Sequence, residues 1–431
     1  MNRWDFEYVD GELTTEGVRL SDIARDVGTP TYVYSAAGVL RRFAAYRDAL
    51  APLGGRVCYA MKANDNLAVL QLLANAGAGL DVVSVGELRK ALAVGVSPEN
   101  IVFSGVGKTD AEIAAALDAG LLSLNVESED EMESLARIAA EKGIHTSAAI
   151  RVNPDVDAKT HAKITTGKAE NKFGISLERA KVLFERARDY SHVDLDCIAT
   201  HIGSQLTSLK PYREAFAIVA DLVRELRAAG HTVSRLDLGG GLGISYEGES
   251  IPEMSDYAAV VRETVGDLGC ELVFEPGRSI VGPAGALLSS VVRLKEGEAR
   301  RFVVVDAAMN DLVRPAMYDA YHEILTITES TSGAGDRPAD IVGPVCETGD
   351  TFARQRALPA VKHGDFVAFM SAGAYGAVMA SSYNARPPAA EVLVSEGRYS
   401  IIRPREDIDA IMGRDQIPEW IGSHQPRKGA A

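Results

Sequence analysis

Short apolar runs rich in β-branched residues alternate with longer amphipathic stretches between about residue 57 and residue 274. A short continuous apolar run is typical of a strand that is buried on both faces. The predicted strand cores are Val57–Ala60, Leu80–Val83, Ile101–Phe103, Leu122–Val126, Ser147–Val152, Leu195–Thr200, Arg235–Leu238 and Leu272–Phe274.

The stretches between these runs carry apolar residues at helical spacing. Glu127–Lys142, for example, places Met132 and Leu135 on one face, and Leu67–Ala76 and Tyr212–Ala229 are similar. Glycines near several predicted helix ends fit the chemistry of C-caps. Strands that each lead into a helix predict an α/β fold, a (β/α)8 barrel of the TIM type. An open, doubly wound sheet is the alternative.

The pattern changes after about Gly282, where helical spacing thins out and Gly and Pro separate short strand-like runs. These runs are Ala286–Leu294, Arg301–Val305, Ala339–Val342, Phe366–Phe369, Glu391–Ser395 and Tyr399–Ile402. We therefore predict a barrel over residues 31–281 and a mostly-β domain, barrel- or sandwich-like, from residues 1–30 and 282–431. Asp155–Lys172 has neither helical nor strand periodicity, and we interpret it as a loop over the barrel mouth.

Composition narrows the range of partners and locations. The 431 residues carry a formal net charge of −15, which disfavours binding to nucleic acid or to an anionic membrane surface. The N-terminus lacks the apolar run of a signal peptide, and no run has the length of a membrane helix. Four scattered cysteines without CxxC spacing argue against a disulfide framework or a zinc cluster. We therefore expect a cytoplasmic protein without a metal.

Two reactive side chains follow predicted barrel strands at the carboxyl end, where barrel enzymes place their active sites. Lys62 follows the first strand, where burial would lower the pKa of its amine and free it to act as a nucleophile. His201 follows the sixth strand and could stack on a flat ring or transfer a proton. Taken singly, each is more often a surface lysine or a structural histidine.

Glycine-containing motifs follow the seventh and eighth strands. The run 239–241 is Gly-Gly-Gly, whose N–H groups could approach a phosphate, and barrel phosphate sites often use these two loops. In the motif 275–278, Glu275 would point into the barrel mouth, Gly277 permits close backbone approach and Arg278 can bind an anion. A tight turn with a salt bridge explains this motif equally well by itself.

The second predicted domain adds three motifs, Arg-Pro-Ala-Met-Tyr at 314–318, Cys-Glu-Thr-Gly-Asp at 346–350 and Gly-Ala-Tyr-Gly at 373–376. Cys346 lies beside carboxylates, which disfavour a thiolate, so it is a better proton donor than nucleophile. A buried, inert thiol is the usual interpretation of a single cysteine. The segment Tyr383–Pro387 reads as a turn, and we assign it no catalytic role.

Together these motifs resemble the fold-type III pyridoxal-phosphate decarboxylases and, among them, the diaminopimelate decarboxylases. The resemblance covers nearly the whole chain, and the motifs occur in the order of that family. They are Tyr-Ala-x-Lys-Ala-Asn at 59–64, His-Ile-Gly-Ser at 201–204, Gly-Gly-Gly at 239–241, Glu-Pro-Gly-Arg at 275–278 and Cys-Glu-x-x-Asp at 346–350. Each motif is weak alone, but the ordered set is specific.

The resemblance implies a role for each matching position. Lys62 would hold pyridoxal 5′-phosphate covalently, His201 would stack on its ring, and Glu275 would pair with the ring nitrogen. A carboxylate there favours decarboxylation over racemisation, because a protonated ring accepts electrons more readily. The remaining cofactor-binding residues would be Ser204, Gly240, Gly241, Gly277, Arg278 and Tyr375, and the catalytic set would be Lys62, His201 and Cys346.

The resemblance also implies a substrate and an assembly. The distal carboxylate of meso-2,6-diaminopimelate would be bound by Arg278, Arg314 and Tyr318, with Tyr375 nearby, and its distal amine by Glu347. Ornithine and lysine lack that carboxylate and would leave two arginines unpaired, which is costly. Cys346 and Glu347 would reach the Lys62 site from the partner in a head-to-tail homodimer.

Three alternatives remain open. The first is decarboxylation of another amino acid, such as ornithine, lysine, arginine, carboxynorspermidine or a carrier-bound substrate. The second is a regulatory homologue that has lost its cofactor, which the intact Lys62, His201, Glu275 and Cys346 disfavour. The third is a non-catalytic carrier of pyridoxal phosphate, which in this fold is normally a single barrel without a second domain.

Overall fold

The computed structural model describes residues 3–157, 172–329 and 337–421. The predicted loop Asp155–Lys172 falls mostly on residues 158–171, which lie outside this description. Within the described ranges, no helix combines the length and the apolar character needed to cross a bilayer.

Eight parallel strands close into a barrel, as the alternation of strand and helix patterns predicts. Each strand is a short apolar run hydrogen-bonded to the next, and the last, β12, pairs with the first, β5. The barrel strands are β5 (Gly55–Ala60), β6 (Gly79–Val82), β7 (Ile101–Phe103), β8 (Ser123–Val126), β9 (Thr146–Val152), β10 (Val193–Thr200), β11 (Arg235–Asp237) and β12 (Glu271–Phe274).

Helices surround the barrel, and local sequence signals set their ends. Thr109 and Glu112 form a reciprocal capping box at the start of one helix. Ser128 caps the next, which ends where Gly143 adopts the left-handed conformation, φ 64°. The helices are α2 (Ala36–Leu50), α3 (Leu67–Asn75), α4 (Val85–Ala93), α5 (Asp110–Ala119), α6 (Glu129–Lys142), α7 (Leu177–Glu185), α8 (Lys210–Ala228), α9 (Met254–Val265) and α10 (Arg278–Val281).

Within the described residues, nine strands form a second sheet, built mainly from the C-terminal part of the chain. Its longest strand pairs with three others and links the sheet to the end of the barrel. The elements of this part are β13 (Gly285–Glu296), β14 (Arg301–Val305), α11 (Arg314–Tyr318), β15 (Ile324–Thr326), β16 (Arg337–Val342), β17 (Thr351–Leu358), β18 (Phe366–Phe369), β19 (Ala390–Ser395), β20 (Arg398–Arg403) and α12 (Ile408–Met412).

The N-terminal residues pack against this second sheet. Three short strands form their own small sheet, and Leu13 and Leu20 join a core cluster with Leu288 and Val392. The N-terminal elements are β1 (Glu7–Val9), β2 (Glu12–Thr15), β3 (Val18–Arg19), α1 (Leu20–Val27) and β4 (Thr31–Ser35).

Strand β4 lies in the second sheet, although the predicted boundary at residue 31 places it in the barrel. It runs antiparallel to β13 and parallel to β19. All five of its residues are buried, as residues of a barrel strand are. Its sheet is decided by long-range hydrogen bonds, which a local pattern does not contain. Strands β15 and β17 were not predicted either, because one has three residues and the other is charged on its exposed face.

Candidate active site

Lys62 stands on a tight 3-10 turn, Met61–Ala63, which continues β5 into the barrel mouth. Its amine lies 3.0 Å from Oδ2 of Asp81, a buried residue on the neighbouring strand β6. Burial by itself lowers the pKa of the amine, but the carboxylates of Asp81 and Glu275 outweigh that effect and raise it. The expectation of an amine activated by burial is therefore wrong for this structure, because Lys62 is an ammonium at neutral pH.

Lys62 faces a cavity of about 480 Å³ at the carboxyl end of the barrel, and an adjoining cavity has a volume of about 280 Å³. Lys62, His201 and Glu275 line both of them. The predicted site residues along the larger cavity are Lys62, His201, Ser204, Gly241, Glu275, Gly277, Arg278, Arg314, Tyr318 and Tyr375. Residues from the barrel loops and from the second sheet thus meet at one place.

Glu275 forms part of a buried acidic group inside the barrel. Its Oε1 accepts hydrogen bonds from Ser104 (3.2 Å) and Asn125 (3.4 Å). Asn125 also donates to Asp237 at 2.8 Å. Burial, together with the nearby Asp237 and Asp81 carboxylates, raises the pKa of Glu275 well above its usual value. A cationic group placed here would therefore be strongly stabilised.

His201 is held as a neutral ring. Its Nδ1 accepts a hydrogen bond from the backbone N–H of Gly240 at 3.2 Å. Burial lowers the pKa of His201 well below its usual value, and the nearby positive charges of Arg151 and Lys62 lower it further. The accepting Nδ1 places the ring proton on Nε2. Gly240 is not among the described residues that line either cavity.

The glycine loop packs too closely for any side chain. A Cβ on Gly240 would lie 2.1 Å from the carbonyl oxygen of Glu275, and one on Gly241 would lie 2.2 Å from that of Gly203. The loops after β10, β11 and β12 therefore touch through their backbones. Of this loop, the half-buried Gly241 lies on the wall of the larger cavity, where its peptide group could approach a phosphate.

Arg278 is buried and has two neutral acceptors. Its guanidinium donates from Nη1 to the Tyr246 hydroxyl (2.9 Å) and from Nη2 to Ser204 Oγ (3.0 Å), and it lies over the Tyr375 ring at 4.7 Å. Its Nε is buried without a hydrogen-bond partner among the described residues. Tyr375 has a strained φ of 55°, held by a hydrogen bond from its N–H to Ala63 O.

Arg314 and Tyr318 begin and end the short helix α11 at the edge of the same cavity. Arg314 is buried, its guanidinium lies 4.9 Å from the centre of the Tyr246 ring, and its Nη1 donates to His322 Nε2 at 2.8 Å. The cavity therefore carries two buried guanidinium groups. Such a pair suits an anionic ligand.

Phe173 covers the cavities from the side of the 172–175 segment. Glu127 holds this segment, because it accepts hydrogen bonds from Gly174 N (2.9 Å) and Arg151 Nη1 (2.7 Å). The Arg151 guanidinium lies over the Phe173 ring at 4.9 Å. This arrangement gives a structural reason for the segment, for which the sequence indicated no role.

Cys346 and Glu347 are exposed and are not among the described residues that line the cavity around Lys62. The last residue of their motif, Asp350, is buried and accepts hydrogen bonds from Val345 N and Met309 N, each at 2.7 Å. It therefore fixes the loop that presents the cysteine at the surface.

The segment predicted to be a simple turn lies beside Cys346 and Glu347. Asn384 Oδ1 accepts a hydrogen bond from Cys346 N at 3.1 Å. A hydrogen bond to the Glu347 carboxylate raises the pKa of Tyr383. Asn384 and Ala385 both have left-handed backbone conformations, φ 58° and 55°, which are costly for residues other than glycine. Tyr383 and Asn384 therefore orient the loop that carries the predicted proton donor.

Sequence reasoning missed several residues that surround the predicted ones. Three of them, Asp81, Asn125 and Asp237, are buried polar residues on barrel strands, and a search for polar residues inside strands would have found them. Tyr246 and His322 gave no comparable signal, because each follows an element and belongs to no motif.

The cavity fits a flat, phosphorylated pyridine aldehyde. Several buried polar atoms have no hydrogen-bond partner among the described residues, including Thr200 Oγ1 and Asn125 Oδ1. The acidic group at Glu275 suits a protonated ring nitrogen, and the glycine loop at Gly241 suits a phosphate. The side chain of Lys62 lines both cavities and could reach an aldehyde placed there once its ammonium has lost a proton.

Known proteins resemble this chain in sequence and structure. Residues 36–282 match the family model "Pyridoxal-dependent decarboxylase, pyridoxal binding domain". A "Diaminopimelate decarboxylase" from Zymomonas mobilis is 47% identical over 421 residues, which cover 96% of this chain and 99% of that protein. One from Pseudomonas aeruginosa is 48% identical over 415 residues, with 96% and 99% covered. The crystal structure of diaminopimelate decarboxylase from Helicobacter pylori complexed with L-lysine has a TM-score of 0.89 at 41% identity, with 92% of this chain and 99% of that chain covered.

Proposed function

Because this chain belongs to the diaminopimelate decarboxylases, a family of pyridoxal-dependent enzymes, we propose that the cavity at Lys62 converts meso-2,6-diaminopimelate to L-lysine and CO2. This reaction is the last step of lysine biosynthesis, and we propose that it takes place in the cytoplasm. The observation that carries the proposal is the pair of buried guanidiniums, Arg278 and Arg314, on the cavity that also holds Lys62.

Pyridoxal phosphate, when bound, supplies the acceptor for the electron pair that remains on Cα after CO2 leaves. Lys62 would hold it through the amine, with His201 against the ring face. Glu275 would keep a proton on the ring nitrogen, and its buried neighbours hold its carboxyl in place. The phosphate would be bound by Ser204, Gly241, Gly277, Arg278 and Tyr375, whereas Gly240, whose N–H is donated to His201, would support the loop.

Asp81 assists Lys62 by accepting a hydrogen bond from its amine. The amine must lose a proton before it can attack a carbonyl. The Asp81 carboxylate, 3.0 Å away, holds the amine in place and is the nearest acceptor described for that proton. The same contact keeps the side chain directed into the cavity after each turnover.

The distal end of the substrate would be bound at the second half of the cavity. Arg278, Arg314 and Tyr318 would bind the distal carboxylate, and Tyr375 would pack beside it. Neither guanidinium has an ion-pair partner in the described part of the chain, so both retain their charge for a ligand. Ornithine or lysine, without a distal carboxylate, would leave these charges uncompensated at a cost in binding.

We propose a homodimer in which the partner's loop completes each site. Cys346 and Glu347 are exposed and lie away from the cavity lining of their own chain. From a second copy, the Cys346 thiol would return one proton to Cα and Glu347 would bind the distal amine. Tyr383 and Asn384, which contact this loop, would hold it in position.

The decisive experiment measures CO2 and amine products from the holoenzyme with meso-diaminopimelate, L-lysine, L-ornithine and L-arginine. We expect CO2 only from diaminopimelate, with L-lysine as the product. Release of CO2 from a diamino monocarboxylate instead would retain the cofactor chemistry but contradict the distal-carboxylate assignment. Arg314→Ala should lower kcat/KM for diaminopimelate by about 10²–10³-fold. Arg213→Ala, at an exposed ion pair with Glu263, is the matched control and should leave it unchanged.

A further inference from the structure

His322 lies behind Arg314 and has a defined tautomer. The ring is 1% exposed, and both ring nitrogens have partners at 2.8 Å. The Met370 carbonyl only accepts, so Nδ1 carries the proton and donates it. Arg314 only donates, so the unprotonated Nε2 accepts from its Nη1.

Tyr246 connects the same histidine to both guanidiniums. Its ring contacts His322 edge-to-face, with centroids 5.4 Å apart, and it also lies against Arg314. Its hydroxyl accepts from Arg278 at 2.9 Å. Among the described residues, the two guanidiniums are therefore held by an imidazole and a phenol hydroxyl rather than by carboxylates, and, against the effect of burial, their charges lower the pKa of that hydroxyl.

The electrostatics agree with this geometry. Burial and the neighbouring Arg314 charge lower the pKa of His322 to about 3, so the ring is neutral at any physiological pH. A protonated ring would repel Arg314. A carboxylate in its place would neutralise Arg314 and compete with an incoming anion.

We propose that His322 and Tyr246 are positioning residues that determine specificity for a second carboxylate by orienting Arg314 and Arg278 without neutralising them. The proposal deepens the proposed function and rests on it, since it explains how the two arginines stay available for the distal group. His322 itself does not touch the ligand, because it is buried behind the wall that Arg314 forms.

Substitution of His322 by asparagine or glutamine tests its two hydrogen bonds separately. Asn keeps an N–H at the position of Nδ1 and loses the acceptor for Arg314. Gln places an amide oxygen close to the position of Nε2 and can restore that acceptor. Both side chains are neutral and similar in size to histidine, so H322N and H322Q form a matched pair.

The test measures binding of two unreactive ligands to the holoenzyme by calorimetry. Pimelate has the seven-carbon dicarboxylate skeleton of the substrate, and hexanoate lacks the second carboxylate. In H322N we expect the Kd of pimelate to rise about tenfold or more, because an oriented hydrogen bond to a charged group is lost, while that of hexanoate is unchanged. H322Q should recover most of the affinity. Cofactor absorbance and the melting temperature identify a variant that is merely misfolded.

Equal weakening of both ligands in H322N, no weakening at all, or the same loss in H322Q would overturn the proposal. Y246F gives a second measurement if H322N does not fold. It removes the hydroxyl that hydrogen-bonds to Arg278 and Arg314 but keeps the ring beside Arg314, so the affinity for pimelate should fall and that for hexanoate should not. The wild-type protein could show this His322-dependent binding of pimelate and still release no CO2 from diaminopimelate. That result would contradict the proposed function and leave this inference intact.

Discussion

The Lys62 amine and the Asp81 carboxylate lie 3.0 Å apart at the carboxyl ends of the adjacent barrel strands β5 and β6. Asp81 is fully buried, so its charge is poorly screened and acts strongly on the amine. This contact reverses the effect that burial alone has on the pKa of Lys62.

Replacement of Asp81 should make Lys62 more reactive at lower pH. Asp81→Asn removes a charge that favours the ammonium form, so the pKa of Lys62 should fall by about a unit or more. The measurement is the pH dependence of Lys62 labelling by an amine reagent in the cofactor-free protein, followed by mass spectrometry. Asp65→Asn is the control, since Asp65 pairs with Lys90 and Arg403 instead. An unchanged midpoint in D81N would contradict the assigned role of Asp81.

Glu275→Gln should separate catalysis from cofactor binding. The substitution removes the negative charge beside the ring nitrogen but leaves the glycine loops, so we expect kcat to fall by about 10²-fold or more with one cofactor still bound per chain. Ser104→Ala is the matched control, because it removes a 3.2 Å hydrogen bond to the same carboxylate but keeps the charge. Its loss in kcat should be about tenfold or less. A nearly active E275Q would show that the charge is dispensable.

Two inactive variants should complement each other if the sites are shared. Lys62→Ala and Cys346→Ala, mixed under conditions that allow subunits to exchange, form hybrid dimers with one intact site. Equal amounts should recover about a quarter of the wild-type activity, since half of the dimers are hybrids and each has one working site. Recovery of nothing, with exchange verified by mass spectrometry, would place both residues in the same subunit's site.

His322 should make the stability of the protein depend on pH. The pKa is about 3 in the folded protein and about 6.5 when unfolded, so the unfolded chain binds more protons between these values. The contribution of His322 to the free energy of unfolding is therefore fully present above pH 6.5 and decreases as the pH falls towards 3.

H322N lacks this titration. Between pH 8 and pH 5 its free energy of unfolding should fall by about 2 kcal/mol less than that of the wild type. Denaturant unfolding at each pH measures the difference. The same substitution at the exposed His363 is the control and should follow the wild type. Identical pH dependence in H322N and wild type would mean that His322 titrates normally.

The barrel could be predicted from the sequence because its signals are local. Apolar runs and helical spacing repeat along the chain, and the predicted strand cores coincide closely with β5–β12. The ends of those strands carry Lys62, His201 and Glu275, and a parallel barrel brings all such ends to one rim. The sequence alone thus determined the barrel and the side of it on which the chemistry lies.

The placement of β4 and the environment of each reactive group were decided by the tertiary structure. Five buried residues look alike in either sheet, and only their hydrogen bonds to β13 and β19 assign them. The sequence predicts that burial lowers the pKa of Lys62, but the folded chain places Asp81 beside the amine and the pKa is raised instead. Arg314, Tyr246 and His322 likewise meet only after the second sheet has packed against the barrel mouth. Charge and hydrogen-bond effects depend on distances of a few ångströms between residues far apart in the chain, and those distances exist only once the fold has formed.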